Sequence, residues 1–176
     1  EKLNVEITLT QNNIATVSSN VMKPFIINGK PLKSINQYYN KKLANLKSKL
    51  INEKKTSKRI KSLTNKRNNK VNDYLHKASR LITNYLVSNN INTIVIGKNK
   101  EWKQDVNIGK KNNQNFVQIP HSRLIDMISY KCKIEGIFVI ITEESYTSKC
   151  SFLDDEGIKK QKSYKGKRIK RGLFKS

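Results

Sequence analysis

Acidic residues are scarce in this chain. Of 176 residues, 13 are Asp or Glu against 36 Lys or Arg, a formal charge of +23. A soluble domain of this size carries a charge magnitude of only ~2–8. So one-sided a balance points to a polyanionic partner, nucleic acid ahead of an anionic membrane surface. No basic amphipathic helix with a Trp/Phe face supports the membrane. A basic ribosomal or chaperone-like protein is the other class left open. Cysteine is nearly absent: Cys132 and Cys150 form no CxxC pair and read as reduced, structural residues in a reducing compartment. The two histidines, His76 and His121, are too few and too scattered for a histidine-based metal site. No run approaches the ~18 apolar residues of a membrane-spanning helix, and no signal peptide opens the chain. The sequence starts inside a strand at Glu1, which suggests a piece of a longer protein or a trimmed start.

The positive signals begin with alternation. Leu3, Val5, Ile7 and Leu9 point one way and Asn4, Glu6, Thr8 and Thr10 the other, the period of a strand. Gln11-Asn12-Asn13 is turn chemistry, and Ile14–Val17 returns as a second strand. A third strand is expected within Met22–Asn28, closing into a turn at Asn28-Gly29-Lys30-Pro31. Ser34 to Asn89 reads as long helix, broken near Thr56-Ser57 into two. Leu43, Leu46 and Leu50 mark one apolar stripe; Val71, Leu75, Ala78, Ile82 and Tyr85 mark another. Asn92–Ile96 and Ile137–Thr142 are short apolar strands on either side of a helix over Pro120–Glu135. Pro120 suits that helix's first turn and Gly136 its C′ position. Strand, helix, strand with continuous apolar strands implies a parallel unit. The polar loop Lys98–Asn115 is long enough to be functional or mobile.

The order β-β-β, long α, β, α, β is the skeleton of an α/β fold of the RNase H-like (RuvC) class. It predicts a mixed five-stranded sheet with a long helical insertion and with the first strand in the middle. The final helix of that skeleton is missing from the sequence. We expect a RuvC-like domain over residues 1–150, with the helical segment at 34–89, and a basic tail over 151–176. Between Lys41 and Lys70 stand 12 basic residues and one acid, Glu53. A solvated face mixes signs, so this reads as a ridge along a phosphate backbone. Its candidate contacts are Lys54, Lys55, Lys58, Arg59, Lys61, Lys66 and Arg67. The tail holds nine basic residues and no acid from Ile158 to Ser176. It reads either as disordered or as a segment that orders on nucleic acid through Lys167, Arg168, Lys170 and Arg171. Trp102 suits a stacking role or a structural one. Tyr38, Tyr39 and Tyr74 read as helix-packing residues, His76 as structural and Cys132 as core.

Six separated strings carry a more specific signal: NQYYNKKLA (36–44), DYLHKASRLI (73–82), IVIGKNKEWKQ (94–104), NNQNFVQIPH (112–121), TEESYTSKCSFLD (142–154) and GKRIKRGLF (166–174). In register over nearly the whole chain, they resemble the RuvC-like domain of TnpB, the OrfB-type transposon proteins, in a branch without the Cys-rich zinc knuckle. The resemblance implies an RNA-guided DNA nuclease in the bacterial cytoplasm, at the nucleoid when bound. Its partners would be a guide RNA and target double-stranded DNA. Cleavage in that family uses two divalent metals on an Asp-Glu-Asp set, and Mg²⁺ prefers such oxygen ligands.

The family's first Asp lies in a string like IDLGxNNxAT. Here the string is ITLTQNNIAT, which puts Thr8 at the Asp position and Thr10 at the Gly position. A hydroxyl cannot replace a bridging carboxylate. The family's Glu at the end of the fourth strand aligns with Gly97. The retained acid is expected in TEESYTSK, at Glu143 or Glu144, and alternation does not choose between them. Glu6 shares a strand face with Thr8 but lies ~6.6–6.8 Å along the strand, too far to stand in. The last Asp belongs to a string like NADVNGA, and this sequence ends at Ser176 before any such string. The resemblance therefore implies a nuclease-dead protein with no metal cofactor, acting as an RNA-guided transcriptional repressor. The competing expectations are a RuvC fragment of an active TnpB endonuclease, which would need Mg²⁺, and a decaying transposon remnant.

Overall fold

The computed structural model describes residues 4–9, 13–51, 54–98, 120–170 and 173–176. Three antiparallel strands open it: β1 (Asn4–Thr8), β2 (Asn13–Ser19) and β3 (Phe25–Asn28). Val5, Ile7 and Leu9 are buried while Glu6 is exposed, as alternation on a half-covered strand requires. In the ladders, Glu6 faces Ser18, Thr8 faces Thr16, and Val17 faces both Ile7 and Phe25.

Asn28 does more than end β3. Its Oδ1 accepts from Lys30 N at 2.9 Å, and α1 (Lys30–Lys47) starts there with Pro31 in its first turn. The expected turn is thus already the helix start, because Pro lacks the N–H that a first turn leaves unpaired. Residues 48–57 separate α1 from α2 (Lys58–Ser88), close to the break expected at Thr56-Ser57. Ser57 caps α2, its hydroxyl accepting from Ile60 N at 3.2 Å. β4 (Thr93–Gly97), α3 (His121–Ile134) and β5 (Phe138–Thr142) then form the parallel unit. Pro120 caps α3 instead of lying inside its first turn, and Gly136 occupies C′ with φ of +73°.

The sheet order is β3-β2-β1-β4-β5, with β1 central and parallel to β4. This is the expected RNase H-like arrangement. Val71, Leu75, Ala78, Ile82 and Leu86 of α2, with Leu124, Ile125, Ile128 and Cys132 of α3, join Val5, Ile7, Ile94 and Ile96 in one core. One sheet face is therefore covered by helices. The opposite face, with Glu6, Thr8, Thr16 and Val95, has no helix from this set. β5 is an edge strand, not one buried on both sides: Phe138 is 72% exposed and Ile140 42%.

The described part of the basic tail contains two short strands. β6 (Lys167–Lys170) and β7 (Leu173–Lys175) pair as a separate antiparallel hairpin. The Phe174 ring lies where a side chain at Gly166 would stand, 2.3 Å from the position of such a Cβ, so glycine is what lets the ring close.

Candidate active site and nucleic-acid interface

The open face of the central strands gathers the residues singled out by the family string. Glu6 and Thr8 stand on β1, with Glu6 beside Val95 of β4 and Val95 beside Ile140 of β5. One step further along, Ile7 pairs with Ile96, so Thr8 and Gly97 follow side by side, and Gly97 pairs with Thr142. The chain leaves β5 at Thr142 and turns back through Tyr146, whose φ is +68°. Lys149 N and Cys150 N both donate to Tyr146 O, at 2.9 and 3.1 Å.

That turn chooses between the two glutamates. A Cβ at Gly97 would fall 1.8 Å from Glu144 Oε1 and 2.3 Å from its Cγ, so Glu144 fills the side-chain space of Gly97. Glu144 thus reaches the end of β4 from beyond β5. Burial pushes the Glu144 carboxyl above its usual range, and the Glu6 carboxylate adds to the rise. Glu143 is exposed and accepts from Ser145 Oγ at 2.7 Å, away from Gly97. Thr8 is half-buried on this face; Thr10 lies outside the described residues.

Two divalent ions bridged by one phosphate need several carboxylates. The open face offers Glu144, with Glu6 within electrostatic reach, and a hydroxyl at the central-strand position. This set does not fit a metal pair. Among the described residues no group of three or more His, Cys, Asp or Glu side chains could hold a metal ion. Two of the acids after β5 hold the following loop together. Glu156 accepts from Ser151 N at 2.8 Å and Lys165 N at 3.1 Å, and Asp154 accepts from the Ser151 hydroxyl.

The basic ridge divides in three dimensions. Lys54, Lys55, Lys58, Arg59, Lys61 and Lys66 are exposed. Arg67 is half-buried: its Nε donates to Asn36 Oδ1 at 2.8 Å, tying α2 to α1, and burial lowers its pKa from the usual guanidinium range. It is a structural pin as much as a surface cation. Ion pairs among the described residues include Lys77–Asp73 and Arg80–Glu135, both beyond the ridge. Lys167, Arg168 and Lys170 are exposed on β6; Arg171 and Trp102, with most of the Lys98–Asn115 loop, lie outside the described residues. Tyr39 and Tyr74 pack as expected. Tyr39 Oη pairs with Thr64 Oγ1 at 3.1 Å, and Tyr74 donates to Asn28 O. Tyr38 does not pack: it is 60% exposed.

Sequence reasoning missed Lys131. It is 3% exposed, and its Nζ donates to His76 O at 2.8 Å and Ser79 Oγ at 2.6 Å, strapping α3 to α2. Its spacing from Ile128, on the apolar stripe of α3, was the available signal. The His76 side chain is exposed, and only its carbonyl joins the strap.

The profile of the OrfB_IS605 family, described as "Probable transposase", matches residues 3–103. The chain belongs to this family. It is a TnpB-like RuvC domain, and β1, with Thr8 at its end, falls within the matched region. No curated protein sequence matches the chain. Among solved structures, a Cas12f1-sgRNA-target DNA complex aligns with a TM-score of 0.64 and 17% identity, over 84% of this chain and 37% of that one. A CRISPR-Cas12f ternary complex aligns with a TM-score of 0.61 and 15% identity, over 85% of this chain and 30% of that one. At such identities the likeness is one of fold. This OrfB_IS605 chain spans little more than a third of the first of those proteins, 37%, and under a third of the second, 30%. Among the described residues no helix is long and apolar enough to cross a membrane.

Proposed function

We propose that this protein binds a guide RNA and, through it, target double-stranded DNA without cutting either, and that it represses transcription where it binds. One observation supports the reading: in the string ITLTQNNIAT the position of the family's Asp holds Thr8, at the end of the central strand. Cleavage rests on carboxylates that hold metal. Binding rests on Lys and Arg contacts to phosphate, so the two are separable. The exposed cations of α2 and β6 support retained binding. Guide pairing would supply sequence specificity, with the protein reading the shape of the duplex. One of the structures that share the fold is a Cas12f1 complex with sgRNA and target DNA. On this reading the protein has no metal cofactor.

The rival is an active endonuclease using Mg²⁺, and the nearness of Glu6 to Glu144 favours it. Two measurements separate them. RNA that co-purifies with the protein is sequenced, and DNA matching it is offered with Mg²⁺. The expected result is a retained but intact DNA. Metal-dependent cleavage that disappears in Glu144→Gln would sink the proposal.

A further inference from the structure

α1 and α2 run side by side, and a furrow lies between them. Its α1 wall carries Tyr38 and Lys42, continuing to Lys49 just beyond the helix end. Its α2 wall carries Arg59, Lys66 and Lys70. Tyr38 and Lys42 are four residues apart, and Arg59, Lys66 and Lys70 are seven and four apart, so each of these sets lies on one face of its helix. Leu46 and Leu63 lie among them. No carboxylate lines the furrow among the described residues.

Tyr38 is the unusual member. A tyrosine 60% exposed in a basic furrow is not serving the core. Lys42 Nζ lies 5.8 Å from the centre of its ring, a cation held beside an aromatic face. The furrow beneath is firm, because Tyr39 is anchored to Thr64 and Arg67 to Asn36 across the two helices. From Tyr38 to its last residue, Lys47, α1 runs about 14 Å at ~1.5 Å per residue. Flat aromatic faces take bases, and regularly spaced cations take the phosphates between them.

We infer that this furrow is a binding site for one single strand of nucleic acid, with Tyr38 stacking on a base and Lys42, Lys49, Arg59, Lys66 and Lys70 meeting its phosphates. The inference rests on the nucleic-acid-binding reading above and gives it a location. An acidic polypeptide would satisfy the cations but has no use for the exposed ring, so nucleic acid is the better occupant. The ring and the furrow are features of α1 and α2 alone and are separate from the open sheet face with Thr8.

The test is fluorescence anisotropy of the whole 176-residue chain with a labelled single-stranded RNA of about ten nucleotides. The same sequence as single-stranded DNA, as duplex, and a poly-glutamate of equal charge are the comparison probes. Tyr38→Ala is expected to weaken single-strand binding by about five- to a hundred-fold with an unchanged salt slope, and Tyr38→Trp to retain it. Lys42→Ala with Lys66→Ala is expected to reduce the slope of log K against log salt by about 1.4, two phosphate contacts' worth. RNA and DNA strands should bind alike, and duplex more weakly. All these side chains are exposed, so thermal melts should show the variants folded. If the parent binds the strand but Tyr38→Ala binds within twofold of it, or duplex or poly-glutamate binds as tightly, the furrow inference alone is overturned. If the parent binds no nucleic acid, the nucleic-acid-binding reading falls with it.

Discussion

A Cβ at position 97 would fall on the Glu144 carboxylate, 1.8 Å from Oε1. The obstructing atoms are the end of a flexible side chain, so Gly97→Ala should push Glu144 outward at little cost in stability. Its carboxyl, held high by burial and by Glu6, should then return towards the ordinary range, as carboxyl-carbon NMR titration would show. The sign of the linked stability follows from the raised value. The folded state keeps its proton to higher pH than the unfolded one. Parent stability therefore falls as pH rises from the usual carboxylate range through the raised pKa. Glu144→Gln removes that fall, and urea midpoints across this window should flatten. The effect should be small, because the group is partly solvated. An unchanged pH profile would place the Glu144 carboxylate in ordinary solvent.

At the scale of elements, the joint between α2 and α3 depends on a buried ammonium. Lys131 meets the His76 carbonyl and the Ser79 hydroxyl, and burial, then Arg80, lowers its pKa. Lys131→Ala should cost about 2–4 kcal/mol by urea unfolding, from the cavity and the acceptors left behind. Lys131→Met keeps the stem and should cost less. The depressed pKa makes parent stability rise with pH between the lowered value and the usual lysine range, a rise the Met variant should lack. Equal, negligible losses in both variants would show the strap to be dispensable. The β6–β7 hairpin owes its order to a different device. Its register sets Lys167 against Lys175, an unfavourable like-charge pair. The Phe174 ring over Gly166 offsets it. The tail's charge was legible; a pairing that depends on one ring meeting one glycine was not.

Across the whole molecule, the helices cover one sheet face, and β5 is left with an exposed apolar flank. Phe138→Ser should change unfolding free energy by no more than about 0.5 kcal/mol, since the side chain already meets solvent. A loss of several kcal/mol would mean that Phe138 belongs to the core after all. The run Ile137–Thr142 reads as an apolar strand of a parallel unit. What the run cannot express is that, among the described residues, β5 has one neighbour, β4, and no helix over its outer face. The positive surface has the same character. The charge run from Lys41 to Lys70 is visible in the sequence, but not that Tyr38 and Lys42 of one helix face Arg59 and Lys66 of another.

Strand alternation in β1, the two helical stripes and the β4–α3–β5 succession determined the order of elements, and the RNase H-like skeleton that this order matches put β1 at the centre of the sheet. They are local repeats, and local periodicity dictates which backbone forms and which face is buried. The +23 charge and Thr8 in the family string were likewise properties of the chain alone. Only the tertiary structure decided that Glu144 rather than Glu143 meets Gly97, that Lys131 is buried, and that Tyr38 overlooks a basic furrow. Each of these is a meeting of side chains distant in sequence, set by how elements pack and turn, and no local repeat encodes it.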